Sequence, residues 1–328
     1  MEMKRDLFQK PKMVEEAAQA QKGLLWILEI LIFVAVFLVS NIATLIVMLP
    51  IELVLMFTNG RYLSAIAAND TKAVMMIAEE IASSNAYMLG MLASEIIMIV
   101  IVCLFCKLLQ KRRMTTMGFC KKAAVKEYLI GMAAGFACFS LAVLLSVITG
   151  GLHLEISPAF RVAPVKIIGI FLLFLIGFMI QGMAEEVICR GYFMVSYARR
   201  YPVYAAIVAN ALIFAALHLL NSGISILAFV NLFLFGVFAS VYFIRRGNIW
   251  GIAAFHSVWN LVQGNFYGIK VSGMELSDSI LTATTMEGRE LLNGGAFGLE
   301  GSLPVTVVLV VGTCMLYFWK SKEQKAEI

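Results

Sequence analysis

Apolar residues dominate this chain in long runs separated by short polar segments. Eight such runs stand out, at about 23–49, 86–108, 127–149, 165–200, 203–220, 224–244, 249–264 and 303–319. Several reach the roughly 20 residues that a helix needs to span a bilayer. The pattern predicts an all-α, polytopic helical membrane protein with about eight transmembrane helices. Between the first two runs, residues 50–85 read as a further apolar turn and an amphipathic helix outside the membrane. Tyr201-Pro202 and Asn221-Ser222-Gly223 read as tight turns. The organisation that follows is a cytoplasmic N-terminal segment (1–22), N-terminal transmembrane helices with an extracytoplasmic loop (23–114) and a core (115–265). A Gly-rich extracytoplasmic loop with a final helix (266–328) completes it. No internal repeat is visible, which gives an inverted-repeat transporter no support.

Composition agrees. Of 328 residues, 61% are hydrophobic and only 14% charged, against roughly a quarter charged in soluble domains. The net charge of +5 lies in short clusters between the apolar runs: Lys107, Lys111, Arg112 and Arg113, then Lys121, Lys122 and Lys126, then Arg199-Arg200, Arg245-Arg246, and finally Lys320, Lys322 and Lys325. With eight spans and both termini in the cytoplasm, almost every cluster falls on one side, as the positive-inside rule requires. The basic balance therefore reads as membrane orientation and not as nucleic-acid binding. The expected location is a bacterial plasma membrane. Lys4, Arg5, Lys10, Lys12 and Lys22 precede a run too long for a signal-peptide core, so the first span is retained. The six cysteines, including the Cys103–Cys106 pair, read as small buried apolar residues.

Polar residues inside the runs carry the functional signal. Gln181-Gly-Met-Ala-Glu-Glu-Val-Ile-Cys-Arg-Gly-Tyr192 places Glu185, Glu186 and Arg190 at the end of an apolar run. Charged side chains in a membrane face the protein interior or a wet cavity and are functional candidates. Glu186 and Arg190 are four apart and can pair on one helix face. Glu185 is rotated away and left free. Asn210, Asn231 and Gln263 read as interhelical glue. The Glu79-Glu80 pair lacks a following arginine and reads as a solvated face. Two of the three histidines also lie in spans at helical spacing, as Phe214–His218 and His256–Asn260. The third, His153, reads as an exposed loop residue.

At about 1.5 Å per residue, Glu185 lies roughly 21 Å from Arg199, His218 roughly 24 Å from Pro202, and His256 and Asn260 roughly 15 and 21 Å from Arg246. Three helices can thus deliver polar groups to one intramembrane cavity. The chemistry that suits them is hydrolysis. A carboxylate in a low-dielectric site can act as general base on water, an imidazole can share that water's proton, and an imidazole with an amide can stabilise a developing oxyanion.

The ordered set Glu-Glu-x-x-x-Arg (Glu185, Glu186, Arg190), Phe-x-x-x-His (Phe214, His218) and His-x-x-x-Asn (His256, Asn260) resembles the CAAX prenyl endopeptidase and bacteriocin-processing family of intramembrane glutamate-type proteases. The resemblance covers about residues 115–265. It implies an endopeptidase with Glu185 as the water-activating base and His218 beside it. His256 and Asn260 form the oxyanion side, and Glu186 with Arg190 lends structural support. Phe214 is expected to set the histidine's rotamer by packing. The implied substrate is a membrane-associated peptide or protein, prenylated in a eukaryote and a peptide precursor in a bacterium. No cofactor is expected. A zinc protease using His218, His256 and a carboxylate is the mechanistic rival, although no His-Glu-x-x-His helix exists. A non-catalytic scaffold or immunity protein of the same family is the rival from another class.

Overall fold

The computed structural model describes residues 9–318. The basic residues Lys4 and Arg5 at one end, and Lys320, Lys322 and Lys325 at the other, lie outside the described residues. A short helix α1 (Lys12–Ala20) precedes α2 (Trp26–Thr58), α3 (Gly60–Ala67) and α4 (Thr71–Ala82). Next come α5 (Asn85–Leu109), α6 (Ala124–Ile148), strand β1 (Leu152–Ile156), α7 (Pro158–Val162) and α8 (Pro164–Ala198). Helices α9 (Val203–Leu217), α10 (Ile226–Arg246) and α11 (Trp250–Leu261) follow. Strand β2 (Leu281–Thr285), α12 (Glu290–Asn293) and α13 (Leu303–Phe318) close the described chain.

Each of the eight predicted runs falls on a helix. Five of these, α2, α5, α6, α8 and α10, are long and apolar enough to cross a membrane, while α9 and α13 are shorter apolar helices. In lipid a helix satisfies its own backbone, so apolar side chains can face outward without cost. They do: Leu45, Ile46, Val165, Ile176 and Leu220 are among many large apolar residues left exposed. Helix starts follow ordinary capping chemistry. The side chains of Asn59, Asp70, Ser84 and Ser225 accept from backbone N–H groups of the first turns of α3, α4, α5 and α10, and Pro164 opens α8.

The structure departs from the sequence reading in four places. Helix α2 runs through Pro50 to Thr58 instead of stopping at 49; proline removes one hydrogen bond, and the apolar residues beyond it keep the helix going. Helix α9 stops at Leu217, so His218 caps the helix instead of lying within it. An antiparallel ribbon pairs β1 with β2, from Leu152–Thr285 to Ile156–Leu281; exposed His153 sits on this strand and not in a loop. Finally, basic residues read as orientation charges of inside loops are drawn into ion pairs. Arg199 is buried and pairs with Glu29 at 3.2 Å, and partly buried Arg246 forks onto Glu127 at 2.7 and 2.9 Å. The solvated reading of Glu79-Glu80 stands: Glu80 meets Arg61 at 3.1 Å on the surface. All six cysteines are free, but only Cys106 and Cys189 are buried as expected; Cys103, Cys120 and Cys138 are partly buried and Cys314 is exposed, because they lie at positions turned partly or wholly outward.

Helix α11 is the axis of the assembly, with every residue from Gly251 to Leu261 buried. Small residues let its neighbours approach closely, as in membrane bundles generally. A Cβ on Gly135 of α6 would meet the Phe255 carbonyl oxygen at 2.5 Å. One on Gly182 of α8 would meet Ser257 Oγ at 2.5 Å and its backbone nitrogen at 2.8 Å. Because backbone blocks the second position, repacking a side chain cannot relieve the clash. Gly182→Val should therefore lower folded yield and melting temperature in detergent. Gly169→Ala on the same helix, where a Cβ meets nothing within 4 Å, should leave both unchanged. Equal thermal stability of the two variants would contradict this packing.

Candidate active site

A cavity of about 250 Å³ opens among α2, α5, α8, α9, α10 and α11. Glu185, His218, His256 and Asn260 all line it, together with Phe214. Three helices bring these groups together as the spacing arithmetic predicted: α8 supplies the glutamates, the C-terminus of α9 supplies His218, and α11 supplies His256 and Asn260. Glu186 and Arg190 lie behind the wall, with fully buried side chains.

Glu186 is the anchor. Its Oε1 accepts from Arg190 Nη1 at 2.8 Å and from His256 Nδ1 at 2.9 Å. The guanidinium of Arg190 lies over the Phe214 ring, 4.6 Å from its centroid, a cation–π contact that strengthens when desolvated. Phe214 also sits 4.8 Å from the His218 ring and 6.0 Å from the His256 ring, centroid to centroid. One aromatic side chain thus touches three members of the motif set, which goes beyond the rotamer-setting role expected for it. Phe235 of α10 packs against His256 at 4.8 Å.

Glu185 has about a quarter of its side chain exposed to the cavity. It is not without partners, as its spacing suggested. Gln181, one turn earlier, donates from Nε2 to Glu185 Oε1. His256 Nε2 stands 3.6 Å from Glu185 Oε2, too far for a direct hydrogen bond, so both atoms remain available to a third group. Asn260 Nδ2 donates to Gln181 Oε1 at 3.0 Å. Gln181 therefore bridges Glu185 and Asn260. The i, i+4 rule that pairs Glu186 with Arg190 also pairs Gln181 with Glu185, and could have found it.

His218 owes its orientation to the end of α9. The last four carbonyls of a helix lack intrahelical donors, and His218 Nδ1 lies 2.8 Å from the Phe214 carbonyl, one of these. A carbonyl can only accept, so Nδ1 carries a proton, and in the neutral ring Nε2 is then the acceptor.

Directly after Glu186 the chain tightens no further but widens: Val187–Met194 is a π-helix. Such segments free carbonyls from the regular ladder and recur at functional sites. Here a buried arginine collects them. Arg112 Nη2 donates to the Gly191 carbonyl at 2.9 Å and Nη1 to that of Tyr192 at 3.5 Å, and the guanidinium also donates to Ser196 Oγ, Gln110 Oε1 and Thr116 Oγ1 at 3.1, 3.0 and 3.1 Å. Burial draws its guanidinium down to about 10, so it stays charged at neutral pH. From sequence Arg112 read only as part of a basic loop. A second π-segment, Val262–Phe266, ends α11 just past Asn260.

The Gly-rich segment supplies the outer wall. Val271, Ser272, Met274 and Glu300 line the cavity. Glu300 accepts from the Ser272 backbone nitrogen and hydroxyl, both at 2.8 Å, and from Gln263 Nε2 and Trp259 Nε1, both at 3.3 Å. Gln263 also donates to the Lys270 carbonyl. Nothing in local spacing linked Glu300 to the site. Glu95, the one acid inside α5, lines the cavity as well; a charge in an apolar run was signal enough, and it was passed over. Among the described residues, no group of three or more His, Cys, Asp or Glu side chains is placed to hold a metal ion.

Fold and site together define a multi-pass, all-helical membrane protein with an acid–imidazole–amide cavity. Residues 167–262 match the family described as type II CAAX prenyl endopeptidase, Rce1-like. This is the family that the three motifs resemble, and the matched segment contains all of them. The match indicates a hydrolase, a protease of the CAAX type. No curated protein and no solved structure matches the chain.

Removing one partner of a buried ion pair typically costs about 3–5 kcal/mol, because the other charge is left unpaired. Glu186→Gln should therefore lower the unfolding free energy of the purified protein by an amount in that range. A loss below about 1 kcal/mol in chemical denaturation would show that Glu186 does not hold the cluster.

Proposed function

We propose that this protein is an intramembrane endopeptidase that hydrolyses a peptide bond in a membrane-associated peptide or protein, with Glu185 as the base that activates water. The observation that carries the reading is the convergence of Glu185, His218, His256 and Asn260, from three helices, on one cavity. Glu185 takes a proton from water as the oxygen attacks the peptide carbonyl, and returns it to the leaving nitrogen when the tetrahedral intermediate collapses. His218 assists through Nε2, the acceptor left by its bond to the Phe214 carbonyl. Asn260 has two amide protons; one holds Gln181, and the other is available to the oxyanion. His256, whose Nδ1–H is committed to Glu186, donates from Nε2 in its imidazolium form. Glu186, Arg190 and Phe214 hold these groups in place. In this reading the reaction proceeds without a metal ion. Its setting is a bacterial plasma membrane with both termini in the cytoplasm.

General bases contribute roughly 10²–10⁴-fold to rate, so Glu185→Gln should lower proteolysis by that factor while melting at the wild-type temperature. Asn260→Ala should lower it by about 10²–10³-fold, the usual cost of one oxyanion donor. Exhaustive chelation should leave activity intact. A survey of peptide termini in host membranes, wild type against Glu185→Ala at matched expression, reads out substrate and activity together. Termini that vanish in the variant support the reading. Unchanged termini, with the wild-type phenotype retained by the variant, would leave a non-catalytic scaffold instead.

A further inference from the structure

Three carboxylates line the catalytic cavity, and no lysine or arginine does. Two of them are matched by donors: Glu185 by Gln181, and Glu300 by Ser272, Gln263 and Trp259. Glu95 is the exception. Its Oε2 is shielded from solvent and meets no hydrogen-bond partner. An ionised carboxylate out of water is costly unless paired, a cost that a cation brought in from elsewhere would offset.

The place that such a cation would come from is also present. A second hollow, of about 410 Å³, lies between α2 and α5 and shares Asn41, Met91 and Glu95 with the catalytic cavity. On α5 it is lined by Tyr87, Met91 and Glu95, one residue per turn along a single face. On α2 it is lined by a matching face that runs from Asn41 through Met48 to Glu52. The outer lip of that face is apolar, with Leu45 and Ile46 each two-thirds exposed. The fissure is therefore an apolar trough with a carboxylate at its inner end, where it joins the reacting groups. Its only other ionisable side chains among the described residues are Glu52 and Tyr87, so no lysine, arginine or histidine lines the fissure itself.

We propose that Glu95 is a specificity-determining residue. An extended apolar segment of substrate lies in the fissure between α2 and α5, and a lysine or arginine within it pairs with Glu95, which brings a neighbouring peptide bond to Glu185. The proposal rests on the endopeptidase reading for the identity of the bond cleaved, but the recognition step can be measured without turnover. Charge complementarity commits the occupant to a cationic peptide; an anionic or purely apolar segment leaves Glu95 unmatched.

The test uses full-length protein carrying Glu185→Gln, reconstituted in nanodiscs, and fluorescent apolar peptides that differ only by lysine or norleucine at successive positions. At one position the lysine peptide should bind roughly ten- to hundred-fold more tightly, the range for a hydrogen bond to a charged group. Adding Glu95→Gln should erase that difference, and adding Glu95→Lys should shift preference to a glutamate-bearing peptide. Glu95→Asp, which keeps the charge on a shorter arm, should retain a reduced preference and covers the case in which Glu95→Gln does not fold. Discrimination that survives Glu95→Gln, or absence of any lysine preference, overturns the proposal. On protein with Glu185 intact, the same ratio should appear in kcat/KM. Discrimination without cleavage would defeat the endopeptidase reading alone, and cleavage without discrimination would defeat this one alone.

Discussion

The rest of this structure depends on a single desolvated carboxylate. Glu186 lies in a dry interior and holds two donors on one oxygen, Arg190 from its own helix and His256 from α11. Such a charge is tolerable only while both partners stay close, so the contact fixes how α8 and α11 face one another. Gly182 permits the approach by leaving room for Ser257. Phe214 completes the arrangement from α9 by covering the guanidinium. Glu185 is then presented to the cavity because its neighbour cannot turn away.

Much of this was legible in the residues. Four-residue spacing announced the Glu186–Arg190 pair, and two intramembrane histidines with a glutamate announced a common cavity. What escaped had different causes. Gln181 was overlooked although the same spacing marks it. His218 was placed inside a helix, yet it works as a cap, because helix ends depend on competing local bonds that hydropathy does not register. Arg112 and Arg199 looked like orientation signals; whether an arginine faces phosphate headgroups or caps a carbonyl depends on tertiary partners some 80 or 170 residues away. The role of Glu300 needed the fold of the Gly-rich segment, where turns at Gly273, Gly294 and Gly298 take positive φ and leave no periodic trace.

The family match ends at the boundaries of the chemistry. Residues 167–262 hold the three motifs, while Asn41, Met91, Glu95, Ser272 and Glu300, which also shape the cavity, come from outside that segment. The motif cluster is thus framed by elements that lie outside the matched segment. Differences in what such proteins accept are expected to reside in the frame, since changes there leave the buried charge cluster undisturbed.

The ribbon of β1 and β2 has a consequence for how the molecule is made. Its strands are joined through 281–285 and 152–156, and the outer wall of the cavity is secured only when Glu300 meets Ser272 and Trp259. A ribosome that has released the three motifs has not yet released this closure. The nascent chain therefore carries its motif residues into the bilayer in an open, unfinished chamber. The chamber can be sealed only after residue 300 has been synthesised.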